Sequence, residues 1–259
     1  MRRYLVPSLV LASSFLLPRT AAPWGNAPTH FGIGFDLAYN VQYDDVLPAG
    51  DNRQLFVRAN ACPDLAWTPS FGRARLGYVH SPEFAEALVY VANSYPWKSS
   101  WGTIARAYGA HIAADDNVHA TFFDNVGDTV HSLVEVSVDT IIYYDGTPLD
   151  PFAAPPAWDR INVGYDACDP YFFVLASRRY RQTTGQAVPA IQWWNMLVAV
   201  PELESSIAAE YAYIKLKGDT NLSEAYLGSL VKQGLLPGPF QPFYLDSLDA
   251  AAEWIGAHH

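Results

Sequence analysis

The chain has 259 residues, of which half are hydrophobic and 16% are charged, and its formal net charge is −10 at pH 7. This length and composition allow a large buried core and exclude an intrinsically disordered chain. The acidic charge disfavours strong electrostatic binding to nucleic acid, so no stable nucleic-acid partner is expected.

The first 22 residues have the layout of a secretory signal peptide. Arg2 and Arg3 precede an apolar run, which ends in small residues at Ala21 and Ala22. The run is too short and too interrupted to match a membrane span of about 20 apolar residues. We therefore predict a signal peptide at 1–22 and one secreted or periplasmic domain at 23–259, with an uncleaved anchor as the alternative.

Two cysteines are present, Cys62 and Cys168. In an exported protein such a pair can form one disulfide. Two buried free thiols fit the sequence equally well, because a sequence carries no geometry. Both interpretations stay open at this point.

Helical patterns follow one another along the chain, and strand patterns are weak throughout. The predicted helices cover about 29–44, 52–60, 81–94, 100–119, 127–144, 168–183, 189–217, 222–234 and 243–257. Ser81 and Pro82 mark the start of the third helix as N-cap and first helical residue. The proline-rich segment 146–160 is predicted to be a surface loop. The pattern indicates an all-α fold with a single compact multi-helix domain.

Five of the seven histidines alternate with acidic residues in the first half of the chain. The sequence HIAADDNVH sets His111, Asp115 and His119 four residues apart. Four residues rotate a helix by about 400°, so these side chains stay on one face with a drift of roughly 40° per step. His131 and Glu135 repeat the step on the next helix, so two facing helices can project ligands inward. Imidazole and carboxylate groups arranged in this way predict a transition-metal site, with zinc preferred.

Three neighbouring residues are not predicted to be ligands. Asp116 points about 100° off the stripe and is expected to be solvated or to support a ligand. Asp139 extends the second stripe by one step and is expected to be a cap or surface acid, or a partner of a ligand. His258 is expected to lie in a frayed tail.

In order and spacing, these elements resemble the zinc-dependent phospholipase C family, whose relatives include single-strand-specific zinc nucleases and a glycosylphosphatidylinositol-cleaving phospholipase. The matching elements span about residues 24–139 and are Trp24-Gly25 with Thr29-His30, Cys62-Pro63-Asp64, His80 before SPEFAEAL, HIAADDNVH and GDTVHSLVE. The short spacing from His111 to His119 resembles the glycosylphosphatidylinositol-specific branch. The C-terminal half adds only helical character.

The resemblance implies a trinuclear zinc site between helices, with up to three ions. Its ligands would be Trp24 (through its backbone), His30 and Asp115 for one ion, Asp64, His80, His111 and a shared Asp115 for a second, and His119, His131 and Glu135 for the third.

The resemblance also implies hydrolysis of a phosphodiester bond, with a phospholipid headgroup as the substrate and transient contact with a membrane surface. Closely spaced zinc ions activate water and neutralise phosphoryl oxygens. Asp64 would ligate zinc and orient the attacking water or accept its proton.

Three alternatives remain open. A zinc-dependent single-strand nuclease or nucleotidase would use nearly the same ligands. A di-iron carboxylate bundle requires Glu-rich sites with Glu-x-x-His pairs, whereas here five histidines accompany one Glu. A secreted zinc-binding protein without catalysis would use the ligands for stability or storage.

Overall fold

The computed structural model describes residues 27–71, 76–122, 126, 128–145 and 164–258. Within these ranges the chain is helical and contains no β-strand, which confirms the all-α prediction. The α-helices are α1 (Ala27–Tyr39), α2 (Arg53–Ala59), α3 (Pro82–Ser94), α4 (Ser99–Thr121), α5 (Asp128–Asp145), α6 (Gly164–Ala167), α7 (Pro170–Thr184), α8 (Trp193–Lys217), α9 (Thr220–Lys232) and α10 (Phe240–Ala257). Short 3-10 helices cover Val41–Tyr43, Cys62–Trp67 and Gly77–Val79.

Some predictions fall outside this part of the chain. The signal peptide at 1–22, Trp24 and the proline-rich segment 146–160 all lie outside the described residues. None of the helices in the described ranges is both long enough and apolar enough to cross a bilayer.

Local hydrogen bonds explain where the helix bounds agree with the sequence and where they differ. Ser81 caps α3 as predicted, since its hydroxyl accepts from the backbone N–H of Phe84 at 3.3 Å. The first helix ends at Tyr39 and not near 44, because the Asn40 side chain accepts from Gln42 N at 3.1 Å and starts a 3-10 turn. Asp169 likewise places the start of α7 at Pro170 and not at the predicted 168, because its side chain caps this helix.

The helices pack around one continuous hydrophobic core, and α4 runs through its centre. This helix has 23 residues and makes its most extensive contacts with α10 and α3. The approach of α10 depends on Gly109, because a Cβ atom at that position would lie 2.1 Å from Cη2 of Trp254. A glycine is therefore required where α10 crosses α4.

The two cysteines form a disulfide, which resolves the alternative that the sequence left open. Both are fully buried, and the bond joins the 3-10 helix Cys62–Trp67 to the residue before the α7 cap. That cap, Asp169, accepts from Tyr171 N at 2.9 Å with one carboxylate oxygen and from Trp101 Nε1 at 2.8 Å with the other. The disulfide and the cap together tie the start of α7 to α4 and to the segment around Asp64.

A hydrogen bond from a side chain compensates for a proline inside α8. Pro201 lacks the N–H that would donate to the carbonyl of Leu197 four residues earlier. The hydroxyl of Tyr165, which lies on α6, donates to this carbonyl at 2.9 Å. The proline thus fixes the position of an aromatic side chain at the start of α8.

Gly109→Ala should destabilise the fold, because the added methyl group overlaps the indole of Trp254. Overpacking of this kind costs about 1–3 kcal/mol, and each kcal/mol lowers the melting temperature by roughly 2–4 °C for a chain of this size. Gly228→Ala on α9 is the matched control, since a Cβ atom there meets nothing within 4 Å. We expect it to leave the melting temperature unchanged or slightly higher. Equal melting temperatures for the two variants would contradict the proposed close packing.

The Cys62→Ala/Cys168→Ala double variant should unfold more easily than the wild type. The disulfide closes a loop with a sequence separation of 106 residues, and loss of such a crosslink costs about 2–5 kcal/mol. Denaturant unfolding under oxidising conditions measures the free energy. If the bond does not form in solution, the wild type will show no change in unfolding midpoint on addition of a thiol reductant.

Candidate metal centre

All predicted ligands except Trp24 lie within the described residues, and the fold brings them together. They come from α1 (His30), the 3-10 helix after Cys62 (Asp64), the residue before the α3 cap (His80), α4 (His111, Asp115, His119) and α5 (His131, Glu135). Three groups of them could hold a metal ion, each with ligand atoms within 4.8 Å of one another: His30, Asp64 and His111; His80, His111 and Asp115; and His119, His131 and Glu135.

The tightest arrangement is formed by His80, His111 and two carboxylates. The Nε2 atoms of His80 and His111 lie 3.1 Å apart. Asp64 Oδ1 lies 3.8 Å from the first and 3.6 Å from the second of these nitrogens. Asp115 Oδ2 lies 3.7 Å from His80 Nε2. Ligands at 2.0–2.2 Å from a tetrahedral ion stand about 3.3 Å apart, so these spacings are close to those of a four-coordinate site.

The backbone of Asn60 sets which nitrogen of His111 faces this group. His111 Nδ1 lies 2.6 Å from the Asn60 carbonyl oxygen, which can only accept a hydrogen bond. Nδ1 therefore carries the proton, and Nε2 presents a lone pair toward His80. The Asn60 side chain is itself anchored, since Nδ2 donates to the Ala107 carbonyl at 3.0 Å. An oriented, neutral imidazole of this kind is what a metal ligand requires.

Asp115 connects the three groups. Its Oδ1 atom lies 3.7 Å from His30 Nε2 and 3.2 Å from His119 Nε2, while Oδ2 faces His80. The two oxygens of one carboxylate thus face ligands from different groups. This is the geometry expected of a carboxylate that bridges neighbouring cations.

The ring of His30 is buried in the cluster without a hydrogen bond to a described residue. Its ring stacks on His111 with centroids 3.6 Å apart, and only 2% of the residue is exposed. Neither ring nitrogen has a hydrogen-bond partner among the described residues. Burying polar nitrogens without hydrogen bonds costs free energy, and a bound cation would remove that cost.

The third group lies between the C-terminal half of α4 and the start of α5. His131 Nε2 lies 2.7 Å from Glu135 Oε1, and the rings of His119 and His131 stack with centroids 4.8 Å apart. Glu135 Oε2 is buried and lacks a hydrogen-bond partner within the described ranges. This oxygen is free to coordinate a cation.

Burial and neighbouring charges shift the pKa values of several ligands. Burial lowers the pKa of His80, and it lowers the pKa of His111 well below the usual range. Both rings are therefore neutral near pH 7, which is the form that binds metal. Burial, with the nearby Asp115 charge, raises the pKa of Asp64 well above its usual range. Burial opposes ionisation of Asp115 as well, but the nearby imidazoles of His119 and His30 outweigh it and lower that pKa well below its usual range.

The cluster is open to solvent on one side. The side chains of His119 and His131 are 38% and 22% exposed, whereas those of His111 and Asp64 are almost completely buried. The opening therefore lies at the third group, near the end of α4. A small anionic group could approach the ligands from this direction.

Of the options predicted for Asp139, the surface acid is wrong, and so is the frayed position predicted for His258. Asp139 is fully buried and accepts from the backbone N–H and hydroxyl of Thr29 at 3.1 and 2.6 Å, which fixes the residue next to His30. His258 is not frayed, because its ring bonds the Trp254 carbonyl at 2.7 Å and Glu86 Oε1 at 2.9 Å. Asp116 is exposed, in agreement with its predicted position off the stripe.

The sequence did not indicate three residues that surround the cluster. Asn60 acts through its backbone carbonyl, so no side-chain pattern could identify it. Trp67 packs against His80 with ring centroids 5.3 Å apart. Glu210 on α8 approaches Asp139 from another helix. Burial, with the Asp139 carboxylate, raises the pKa of Glu210 well above its usual range.

Comparison of the chain with models of protein families, with curated proteins and with solved structures finds no match.

Asp115→Ala should lower the metal content of the protein more than substitution of a ligand that belongs to only one of the three groups. Asp115 borders all three groups, so its removal weakens each of them. Asp116→Ala, at the next residue, is the matched control and should retain the wild-type content because Asp116 is exposed. Elemental analysis after zinc loading and dialysis gives the number of ions per chain. Identical metal contents for the two variants would exclude the bridging role of Asp115.

Proposed function

We propose that the chain is a secreted, zinc-dependent phosphodiester hydrolase of the phospholipase C type, acting on phospholipid headgroups. The observation that carries the proposal is the convergence of five histidines with Asp64, Asp115 and Glu135 in one cluster that is open on one side. These residues are the ones that the family resemblance implies as ligands.

Zinc is the metal that this set of donors favours. Calcium and magnesium bind oxygen ligands almost entirely, whereas imidazole nitrogens dominate here. Mixed histidine and carboxylate ligands at these spacings suit zinc in tetrahedral geometry. In the proposed assignment His30 and Asp115 hold one ion, Asp64, His80, His111 and Asp115 hold a second, and His119, His131 and Glu135 hold a third.

The proposed reaction assigns one role to the zinc ions and another to Asp64. Bound zinc ions would supply the positive charge that stabilises phosphoryl oxygens and the acidity that activates water near neutral pH. Asp64 Oδ1 faces the ring nitrogens of His80 and His111, so the other carboxylate oxygen is available to accept a hydrogen bond from the attacking water. The water oxygen would join phosphorus as its proton passes to Asp64, and the bond from phosphorus to the leaving oxygen would break. The alkoxide released would then take up a proton from Asp64 or from solvent and depart as the alcohol.

The buried disulfide supports the proposed secretion. Cytosolic thiols are kept reduced, so a structural disulfide is typical of exported proteins. Its position next to Asp64 also means that one segment of the cluster depends on an oxidising compartment.

Metal removal and substrate comparison test the proposal together. The mature protein should hydrolyse phosphatidylcholine in mixed micelles, lose this activity in a chelator and recover it when zinc is restored. Single-stranded DNA is assayed in parallel, because a nuclease would share the ligands. Hydrolysis that persists in the chelator would exclude metal dependence, and hydrolysis of DNA alone would exclude the phospholipase assignment.

Asp64→Asn tests the role of the carboxylate in the same assay. We expect the rate to fall by about 10²–10⁴, the usual contribution of a positioned acid or base. Asp116→Asn is the control and should retain wild-type activity, since its side chain is exposed. Circular dichroism and zinc content, measured on both variants, separate a lost proton acceptor from a lost ion. An unchanged rate in Asp64→Asn would exclude the proposed role.

A further inference from the structure

A group of aromatic side chains is exposed where α6, α7 and α8 begin. We refer to Tyr165, Tyr171, Trp193, Trp194 and Leu197 as the aromatic face. Trp194 is 63% exposed, and the other four are between 44% and 49% exposed. Adjacent exposed residues of this size are uncommon on a soluble surface and mark a site of interaction.

The aromatic face is one continuous surface. Trp193 lines two open grooves, of which one also contains Tyr165 and Leu197, and the other contains Tyr171 and Trp194. The second groove has a volume of about 610 Å³. Trp193 therefore joins the residues of α6 and α7 to those of α8.

The fold holds this face in place. The hydroxyl of Tyr165 donates to the Leu197 carbonyl that Pro201 leaves without its helical donor, so Tyr165 is fixed against α8. Tyr171 lies at the start of α7, directly after the Asp169 cap and the disulfide. Aromatic side chains on such rigid supports lose little conformational freedom when they bind a surface.

Arginines accompany the aromatic face, although the chain is acidic as a whole. Arg178 and Arg181 line the groove of Trp193 and Trp194, and Arg58 lines the other groove. In the part of the chain that the structure describes, no carboxylate forms a salt bridge with any of the three. A guanidinium group without a carboxylate partner is suited to bind phosphate, because its paired N–H donors match two phosphate oxygens.

The groove of Trp193 and Trp194, which Arg178 and Arg181 also line, has no carboxylate among the described residues that line it. Asp166 and Asp169 also line the groove of Tyr165. Asp169 is already used, since it caps α7 and accepts from Trp101 Nε1. The surface thus combines indole rings with unpaired guanidinium groups, in a chain with a formal net charge of −10.

We propose that the aromatic face docks on the surface of a phospholipid bilayer. Trp193 and Trp194 enter the boundary between headgroups and acyl chains, where indole rings are favoured because they have both an apolar body and an N–H donor. Arg178 and Arg181 bind lipid phosphates from the adjacent groove. The proposal concerns binding alone and does not require the metal cluster to hydrolyse lipid.

The segment that carries His80 borders this face. A third groove is lined by Trp194 from α8 together with Phe71 and Leu76. These two residues lie between Trp67, whose ring packs on His80, and Tyr78, whose hydroxyl donates to the Pro189 carbonyl at 2.8 Å. The aromatic face therefore adjoins a groove lined by Phe71 and Leu76, which lie in the chain between two of the predicted metal ligands, Asp64 and His80.

Vesicle co-sedimentation tests the proposal with the full mature chain, both zinc-loaded and chelator-treated. The probe is vesicles of phosphatidylcholine and phosphatidylglycerol. We expect binding in both metal states, with a blue shift of the tryptophan fluorescence. Trp193→Ala/Trp194→Ala should weaken binding by at least about tenfold, because the buried apolar area is lost. Arg178→Glu/Arg181→Glu should weaken it by a similar factor and reduce its dependence on salt.

Matched controls alter equally exposed side chains elsewhere. Leu216→Ala changes a leucine that is 79% exposed at the other end of α8. Lys217→Glu/Lys232→Glu reverses two charges away from the face. Both controls should bind vesicles as the wild type does, and all variants should keep the wild-type melting temperature. If the double tryptophan variant melts lower, Trp194→Ala replaces it.

Three outcomes would overturn the proposal. They are absence of vesicle binding by the wild type, equal binding by the wild type and the tryptophan variant, and equal losses in the variants and the controls. Each is independent of the hydrolysis assay, because binding is measured with and without metal. A protein that binds vesicles but does not hydrolyse phosphatidylcholine would contradict the proposed function and leave the docking face supported.

Discussion

The carboxylate of Asp115 is the point on which the cluster depends. It faces His30 and His119 with one oxygen and His80 with the other, in an interior where an unbalanced charge is expensive. The side chains around Asp115 differ in whether hydrogen bonds satisfy their buried polar atoms. Asn60 orients His111 and Asp115 accepts from His119, whereas His30 and one oxygen of Glu135 have no hydrogen-bond partner among the described residues. These unsatisfied atoms point to a bound cation more directly than the spacing of any two ligands.

The remainder of the fold keeps these ligands in place. The disulfide fastens the segment of Asp64 to the start of α7, and Thr29 bonds to Asp139 beside His30. Gly109 lets α10 approach α4 on the helix that carries three of the ligands. Supporting contacts of this kind hold ligands within the small tolerances that a metal site requires.

The metal cluster and the aromatic face use opposite chemistry. Negative charge and neutral imidazoles are concentrated inside, among α1, α4 and α5, where cations can balance them. Trp193 and Trp194 lie outside, at the start of α8, and the grooves beside them are lined by Arg178 and Arg181 of α7 and by Arg58 of α2. The net charge of −10 hides this division, because it counts buried ligands together with the surface. A protein that is acidic overall can therefore present a local surface suited to phosphate headgroups.

The sequence alone determined the helical fold, the cap at Ser81 and the stripe of His111, Asp115 and His119, because helical periodicity and capping are local properties of the chain. It also indicated, through a resemblance of motifs, which distant residues would join that stripe. Only the tertiary structure decided that Cys62 and Cys168 are bonded, that Asp139 is buried, and that Asn60 orients His111 through a carbonyl group. The aromatic face likewise depends on Tyr165 and Leu197, which are 32 positions apart in the chain: the Tyr165 hydroxyl donates to the Leu197 carbonyl that Pro201 leaves without a helical donor. Contacts of this kind arise from helix packing, and residue spacing along a chain does not encode them.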